Sequence, residues 1–258
     1  MMQRIGQPVA LVTGASRGIG AETALALAER GYDVALTYRN KAARANEVKA
    51  AIAQHLVEGL ALQCDITQRK DLRRLFAALQ DWRGYLDLLV LNASGGLERE
   101  QLALDPDYPT RINRDAQVAL LNGALPLLRA GGTVVFVTSH WAHLYGKVEQ
   151  IPSYTPIAET KYAGEQALRS RQEELSERGI RLLVVTGDLI DGTITPKLLQ
   201  RNAPGLIEQR RDLLGDLPTA TEMGEAIAMA GTNTTLPSGT TIVVGGPLES
   251  LLPTDTAF

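Results

Sequence analysis

The chain has 258 residues, enough for one large α/β domain, and its 45% hydrophobic and 21% charged residues are typical of a folded globular protein. The net charge of −3 provides no global positive field that would recruit nucleic acid or an anionic membrane. The single cysteine, Cys64, excludes an internal disulfide framework and a cysteine-based metal cluster, so no metal site is predicted.

No segment of the sequence resembles a membrane span or a secretion signal. Residues 1–8 lack the apolar stretch of a signal peptide. The most apolar region, 118–137, is interrupted by Pro126 and by polar residues, so it is not an unbroken membrane-spanning run of about 20 residues. Together with the lone thiol, these features predict a cytoplasmic protein without membrane or nucleic-acid partners.

The first third of the chain alternates between apolar runs and amphipathic helical patterns. A short apolar run that ends in polar or glycine residues indicates a buried strand. Hydrophobic residues spaced by three and four positions indicate a helix with one apolar face. In chain order, these patterns predict strand 9–12, helix 20–29, strand 33–38, a helix through Val48, Ile52 and Leu56, strand 60–64, a helix through Leu72, Leu75, Phe76 and Leu79, and strand 86–91.

The alternation continues through the rest of the chain. Thr219 and Glu222 fit a capping box that opens a helix ending near Ala230. Alternating helices and buried strands predict a single Rossmann-like domain over 1–258, a doubly wound parallel seven-stranded sheet with helices on both faces. The later elements are helix 107–128, strand 133–138, helix 156–177, strand 181–185, the capped helix and strand 240–244.

Residues 188–218 break this alternation. The stretch contains Pro196, Pro204, Gly205 and Gly215, with short helix-like pieces between them. Ligands of doubly wound sheets bind at the carboxyl edge of the strands, where a long excursion often covers the site. We therefore expect a substrate lid here; an ordinary connection with two short helices is the alternative.

A glycine-rich turn follows the first predicted strand. Gly14 lets the chain leave the strand sharply, Gly18 lets the backbone approach a pyrophosphate, and Gly20 lets the next helix pack against the sheet. Backbone N–H groups at the start of that helix would face the negative phosphates. Since a strand precedes the turn and a helix and second strand follow it, the pattern predicts a dinucleotide site rather than a purely structural turn.

The end of the second strand indicates which dinucleotide binds. An NAD-selective site usually has an acidic residue here, which bonds the ribose 2′-hydroxyl. This chain has Tyr38, Arg39 and Asn40 instead. A guanidinium can bind a 2′-phosphate bidentately, and Arg17 in the glycine turn could hold its other side. The predicted cofactor is therefore NADPH/NADP, the alternative being that either arginine is merely solvated.

These motifs and several others make the chain similar to the short-chain dehydrogenase/reductase family over nearly its whole length. The matching segments are Thr13-Gly14-x3-Gly18-x-Gly20, Cys64-Asp65-Ile66, Leu91-Asn92-Ala93-Ser94-Gly95, Ile112-Asn113, Val137-Thr138-Ser139 and Ser238 to Gly246. The resemblance implies that the cofactor is contacted by Gly14, Ser16, Arg17, Gly18, Ile19, Gly20, Tyr38, Arg39, Asn40, Asp65, Ile66, Asn92, Ala93, Ser94, Gly95, Thr138, Lys161, Gly187, Asp188, Ile190 and Thr193.

The chain departs from the family at its catalytic tyrosine. The family pattern is Tyr-x-x-x-Lys, but the residue four positions before Lys161 is Ile157, which has no proton to give. Tyr162 lies roughly 100° round the helix from Lys161. Tyr154 precedes an expected N-cap and a proline, so the direction of its side chain is open. We therefore interpret the chain as an atypical member that lacks the active-site tyrosine.

Hydride delivery to a ketone generates an alkoxide that must be protonated or stabilised. The resemblance implies that Ser139, Lys161 and Asn113 keep catalytic roles. His140 is the leading protein candidate for the missing donor, and a structural histidine is about equally expected. Tyr154 is a further candidate, although an unperturbed phenol has a pKa of about 10.

A phenol beside the ketone of the substrate could also supply the proton. Such neighbouring groups occur in aromatic polyketides of antibiotic biosynthesis, and the chain resembles the angucyclinone ketoreductases that lack the active-site tyrosine. The predicted activity is NADPH-dependent reduction of a small-molecule ketone, with an aromatic ketone and a homo-oligomer as further expectations. A catalytically weak NADP-binding regulatory protein, or an ordinary reductase that uses Tyr154, stays open.

Overall fold

The computed structural model describes residues 6–97, 99–201 and 203–252. Seven strands form one parallel sheet in the order β3-β2-β1-β4-β5-β6-β7, with helices on both faces, so the predicted Rossmann-like fold is confirmed. The strands are β1 (Val9–Val12), β2 (Asp33–Tyr38), β3 (Gly59–Gln63), β4 (Leu86–Leu91), β5 (Leu128–Ser139), β6 (Arg181–Gly187) and β7 (Thr241–Val244).

The helices fill the connections between these strands. A π-helical turn (Arg111–Asp115) and a 3₁₀ turn (Leu248–Leu251) accompany them. The α-helices are α1 (Gly18–Glu29), α2 (Ala42–Ala53), α3 (Arg69–Trp82), α4 (Arg99–Leu104), α5 (Tyr108–Thr110), α6 (Ala116–Ala124), α7 (His140–His143), α8 (Thr155–Arg169), α9 (Gln172–Glu177), α10 (Ile194–Gln200), α11 (Leu206–Leu214) and α12 (Ala220–Thr232).

The middle of the sheet is buried on both faces. β1 pairs with β2 on one side and with β4 on the other, so the strand order reverses at β1 and opens a crevice at the carboxyl ends. Leu11 and Leu89 pack into the apolar core on one face, and Val12 and Val90 pack into the core on the other. The continuous apolar strands in the sequence are explained by this two-sided burial.

Three predicted helices differ from the structure in their extent. Leu56 lies beyond α2 with φ of 61° and is 81% exposed, so it does not belong to the apolar face of Val48 and Ile52. The predicted helix 107–128 is α5, the π-helical turn and α6, and Leu128 already pairs with β4. The predicted helix 156–177 is two helices, α8 and α9. Between them, the Ser170 hydroxyl donates a hydrogen bond to the Ala167 carbonyl.

The predicted start of the last long helix, α12, agrees with the structure. Both hydrogen bonds of the capping box between Thr219 and Glu222 are present at the start of α12. None of the described helices is both long enough and apolar enough to cross a membrane. The first five residues, on which part of the signal-peptide prediction rested, lie outside the described ranges.

Candidate active site

A groove of about 540 Å³ runs across the carboxyl ends of β1 to β4. The glycine turn forms its floor: Gly14 has φ of +68°, and a Cβ at this position would lie 3.0 Å from Ala93. The predicted cofactor residues that line the groove are Gly14, Ser16, Arg17, Gly18, Ile19, Gly20, Tyr38, Arg39, Asn40, Asp65, Ile66, Asn92, Ala93, Ser94 and Thr193.

Several cationic side chains line the groove. Arg17 and Arg39 line it, as the sequence predicted. Lys41, Arg44 and Lys197 line it as well, although the basic residues after Arg39 could equally have been a solvated helix face. Lysine and arginine bind phosphate oxygens, so this donor set fits a cofactor with an additional phosphate.

A second cavity of about 100 Å³ adjoins the groove, because Ile19, Asn92, Ser94, Thr193 and Thr195 line both. Thr138, Ser139, Tyr154, Lys161, Asp188 and Ile190, all predicted site residues, line this cavity.

Tyr154 points at Ser139 inside the second cavity. The two hydroxyl oxygens are 2.9 Å apart, and either group can donate the hydrogen bond. Tyr154 is the N-cap of α8, and the backbone N–H groups of Ile157 and Ala158 donate to its carbonyl. The prediction that the chain lacks an active-site tyrosine is therefore not confirmed, because a phenol lies beside the serine one helical turn before the expected position.

Burial acts on the two titratable groups of this cavity in opposite directions. It raises the pKa of Tyr154 to about 12, and the hydrogen bond with Ser139 partly offsets that rise. It lowers the pKa of Lys161 to about 8, and the nearby carboxylate of Glu165 partly restores the ammonium. The cavity thus holds a protonated phenol together with a lysine whose charge is sensitive to pH.

The π-helical turn supports α8 from behind. Asn113 Nδ2 donates to the Gly95 carbonyl and to Thr160 Oγ1, both at 3.0 Å, and the Gly95 N–H donates to Asn113 Oδ1 at 3.3 Å. A Cβ on Gly164 would lie 2.1 Å from the Asn113 carbonyl oxygen, so only glycine permits this approach. Neither Asn113 nor Gly95 lines a cavity. Their hydrogen bonds instead hold α8, which carries Lys161, against the segment that follows β4.

Both ring nitrogens of His140 are engaged outside the cavities. Nδ1 lies 3.0 Å from the Thr186 hydroxyl, and Nε2 lies 3.0 Å from the Gly246 carbonyl. The side chain is fully buried, which lowers its pKa. A carbonyl only accepts, so Nε2 carries the proton and the ring is a neutral link between β6 and the segment after β7. This geometry favours a structural role over the predicted role as proton donor.

The side chain of Asp188 forms an ion pair with the predicted lid. Its carboxylate pairs with Arg210 of α11, and both side chains are almost completely buried. The Arg210 guanidinium lies 5.5 Å from the centre of the Trp141 ring. Asp188 lines the second cavity but is committed to this pair, whereas Gly187 lies in the last register pair of β6 and lines neither cavity.

The segment 188–218, predicted to be a lid, lines part of both cavities. It contains α10 and α11 and contributes residues to both cavities, among them Ile194, Lys197 and Leu199. Leu199, Ile207 and Leu217 pack in one apolar cluster with Trp141 and Tyr154. A lid would need such apolar contacts with the residues around the cavity, and the assignment of 188–218 as a lid stays a prediction.

The residues present fit a nicotinamide dinucleotide. The backbone turn and cations of the groove suit the phosphates, and the Thr138 hydroxyl is buried in the second cavity without a hydrogen-bond partner in the described part of the chain. A buried unpaired hydroxyl is costly, so a polar group of a ligand is expected to satisfy it. The sequence predicted these cofactor contacts but missed cavity residues such as Tyr108 and Leu199, because no local motif marks a side chain that reaches the site from a distant element.

Comparison with known proteins agrees with this geometry. The family model described as short chain dehydrogenase matches residues 8–203. A 1-cyclohexenylcarbonyl-CoA reductase of Streptomyces collinus is 31% identical over 254 residues, which cover 95% of this chain and 88% of that protein.

Two solved structures are similar along nearly the whole chain. A short chain dehydrogenase from Burkholderia cenocepacia J2315 in complex with NADP is 28% identical, with a TM-score of 0.79 and coverage of 96% of this chain and 100% of that one. The promiscuous reductase LugOII, described as catalysing keto-reduction at C1 during lugdunomycin biosynthesis, is 26% identical, with a TM-score of 0.78 and coverage of 95% and 100%.

Proposed function

The chain belongs to the short-chain dehydrogenase family, and from that premise we propose that it is an NADPH-dependent ketoreductase in which Tyr154 donates the proton. The observation that carries the proposal is the 2.9 Å contact between the Tyr154 and Ser139 hydroxyls, in a cavity that Lys161 also lines. The family's usual tyrosine position holds Ile157, so Tyr154 takes over that role from the start of α8.

When bound, the cofactor supplies a hydride to the carbonyl carbon. The residues of this chain then handle the negative charge that develops on the carbonyl oxygen. Ser139 holds that oxygen with a hydrogen bond, and Tyr154 gives it the phenolic proton. Burial alone would make Tyr154 a poor acid, and its hydrogen bond with Ser139 partly offsets the rise in its pKa. We propose that the Lys161 ammonium, which lines the same cavity, stabilises the phenolate that remains.

The cations beside β2 support NADPH as the cofactor. A phosphate on the ribose 2′ position carries close to two negative charges, which the guanidinium of Arg39 and its neighbours would neutralise. The similar Burkholderia protein was solved with NADP, which agrees with this choice.

The substrate class we propose is a small-molecule ketone, with an aromatic polyketide as its most specific form. Keto-reduction is what the LugOII structure describes for that protein. The second cavity of about 100 Å³ is too small for several fused rings, so a polycyclic ketone requires movement of the lid at 188–218. Proton transfer from a phenol of the substrate remains the rival to Tyr154.

Reduction of a carbon–carbon double bond conjugated to a carbonyl is the second candidate function. It is favoured by the similarity to a 1-cyclohexenylcarbonyl-CoA reductase over 95% of the chain. Tyr154 and Ser139 would then stabilise an enolate oxygen rather than protonate an alkoxide. The Ser139–Tyr154 pair could serve either reaction, so ketone reduction and alkene reduction must be distinguished by analysis of the product.

The test offers NADPH with a panel of cyclic ketones, phenolic ketones and their O-methyl ethers, and conjugated enones. A ketoreductase converts ketones to alcohols, while the second candidate leaves the carbonyl and saturates the alkene. Equal single-turnover rates for bound phenol and ether would rule out substrate assistance. NADPH binding without turnover of any panel member would contradict both reactions and favour the regulatory protein.

A further inference from the structure

A tyrosine that lines the groove contacts Arg39. Tyr108 lies in α5, far along the chain from β2, and its hydroxyl accepts a hydrogen bond of 2.6 Å from Nη1 of Arg39. The ring is only 3% exposed, whereas Arg39 is an exposed residue. The hydrogen bond therefore holds the exposed, long side chain of Arg39 against the buried ring of Tyr108.

The position of the Tyr108 hydroxyl is fixed by the end of β4. A Cβ on Gly95 would lie 3.3 Å from the hydroxyl oxygen and from Cε1 of the ring, so the ring packs directly on the backbone there. The Gly95 backbone is itself held through both its N–H and its carbonyl by Asn113. The hydroxyl is thus placed by the same packing that supports the catalytic helix.

An arginine side chain held in one direction binds an anion at lower entropic cost. A free arginine side chain has many rotamers, and much of that conformational entropy is lost when it binds a phosphate. The guanidinium has five N–H donors, so the bond to Tyr108 leaves donors for a bidentate contact. Part of the conformational entropy of the Arg39 side chain has then been lost before the ligand binds.

We propose that Tyr108 is a specificity-determining residue that acts through Arg39, holding its guanidinium in the direction that receives a ribose 2′-phosphate. This inference rests on the proposed preference for NADPH. It assigns part of that preference to a residue that carries no charge and lies outside the glycine turn and the end of β2. If the hydroxyl instead competed with the phosphate for Arg39, its removal would strengthen NADPH binding.

The test is Tyr108→Phe, with dissociation constants measured for NADPH and NADH. The variant keeps the buried ring and removes only the hydroxyl, so we expect NADPH to bind about threefold to fivefold more weakly, less than the loss for Arg39→Ala, and NADH to change less than twofold. The matched control is Tyr85→Phe, whose hydroxyl donates to the Gln7 carbonyl away from both cavities and whose loss should alter neither constant. Binding of 2′,5′-ADP against 5′-AMP repeats the comparison without the nicotinamide.

The variant Arg39→Ala shows whether Tyr108 acts through the arginine. In that background, Tyr108→Phe should weaken NADPH binding less than twofold further. An additional loss of threefold or more, an equal loss for NADH, unchanged NADPH binding, or tighter NADPH binding would each overturn the inference. A wild-type chain without any preference for NADPH would overturn the proposed cofactor and this inference together, while a preference that Tyr108→Phe leaves undiminished would overturn this inference alone.

Discussion

Replacement of Tyr154 by phenylalanine tests the role of the phenol at the start of α8. The hydroxyl that the change removes lies 2.9 Å from Ser139 in the second cavity. Positioned general acids contribute about 10²- to 10⁴-fold, which corresponds to about 2.7–5.5 kcal/mol of barrier. We expect the single-turnover rate of ketone reduction to fall within that range, with NADPH affinity changed less than twofold.

The cost of this substitution to folding is small enough to keep the two effects apart. Phenylalanine fills the same volume, and Ser139 still accepts a hydrogen bond of 3.3 Å from the Ala142 N–H. The loss of one buried hydrogen bond is therefore worth about 1 kcal/mol of unfolding free energy. A thermal melt with and without NADPH checks that the variant folds and binds.

The matched control is Tyr162→Phe on the same helix. Tyr162 follows Lys161 directly, but its ring packs beside Tyr145 with centroids 5.9 Å apart and does not line the second cavity. Its rate should stay within twofold of wild type. A Tyr154→Phe rate within threefold of wild type, or equal losses for both variants, would refute the assignment of Tyr154 as the donor.

Three further predictions concern the cofactor and the catalytic helix. Arg39→Ala should weaken NADPH binding about tenfold and leave NADH within twofold in parallel titrations, because only NADPH carries the 2′-phosphate; equal weakening would contradict this. Because burial lowers the pKa of Lys161 to about 8, the free enzyme loses that positive charge as the pH rises through this value, so kcat/KM for reduction should decline above it. Lys161→Arg should remove this decline even if its maximal rate is lower, and an identical profile would contradict the assignment. Gly164→Ala should lower the melting temperature and the turnover rate together, since a Cβ would lie 2.1 Å from the Asn113 carbonyl oxygen; an unchanged melt would mean that α8 can shift at no cost.

The strands were predictable because burial on both faces leaves a clear mark in the sequence. β1 and β4 are short, apolar and bounded by polar or glycine residues, and no other element of that length fits such a run. Helix ends were less predictable, because Leu56 continued an apolar spacing after the helix had stopped. The break after α8 depends on a serine side-chain bond that a hydrophobic pattern does not record.

The cofactor groove was predictable since its contacts come from contiguous motifs at strand ends. The position of the Tyr154 phenol was harder to predict, because its direction depends on how α7 and the following loop return the chain to α8. One signal was present: Tyr154 precedes Lys161 by seven residues, which is nearly two turns of a helix and so the same face.

Contacts between distant elements could not be predicted. His140 stands next to Ser139 in sequence, yet its ring turns away to Thr186 and Gly246. Asp188 directly follows β6, but its partner Arg210 lies in the irregular segment 188–218, where the sequence pattern does not predict which residues meet the sheet. Tyr108 accepts a hydrogen bond from Arg39, which lies 69 residues earlier in the chain.

The central claim is that the protein reduces ketones with Tyr154 as the proton donor. It is tested most directly by following the hydride into the product. A ketone that also carries a conjugated alkene is incubated with NADPH deuterated at the transferred position, and the product is analysed for the site of the label. The account predicts deuterium on the carbinol carbon of an alcohol, formed at a rate that Tyr154→Phe lowers at least a hundredfold. Deuterium on the carbon β to a retained carbonyl, or label transfer at an unchanged rate in Tyr154→Phe, would contradict it.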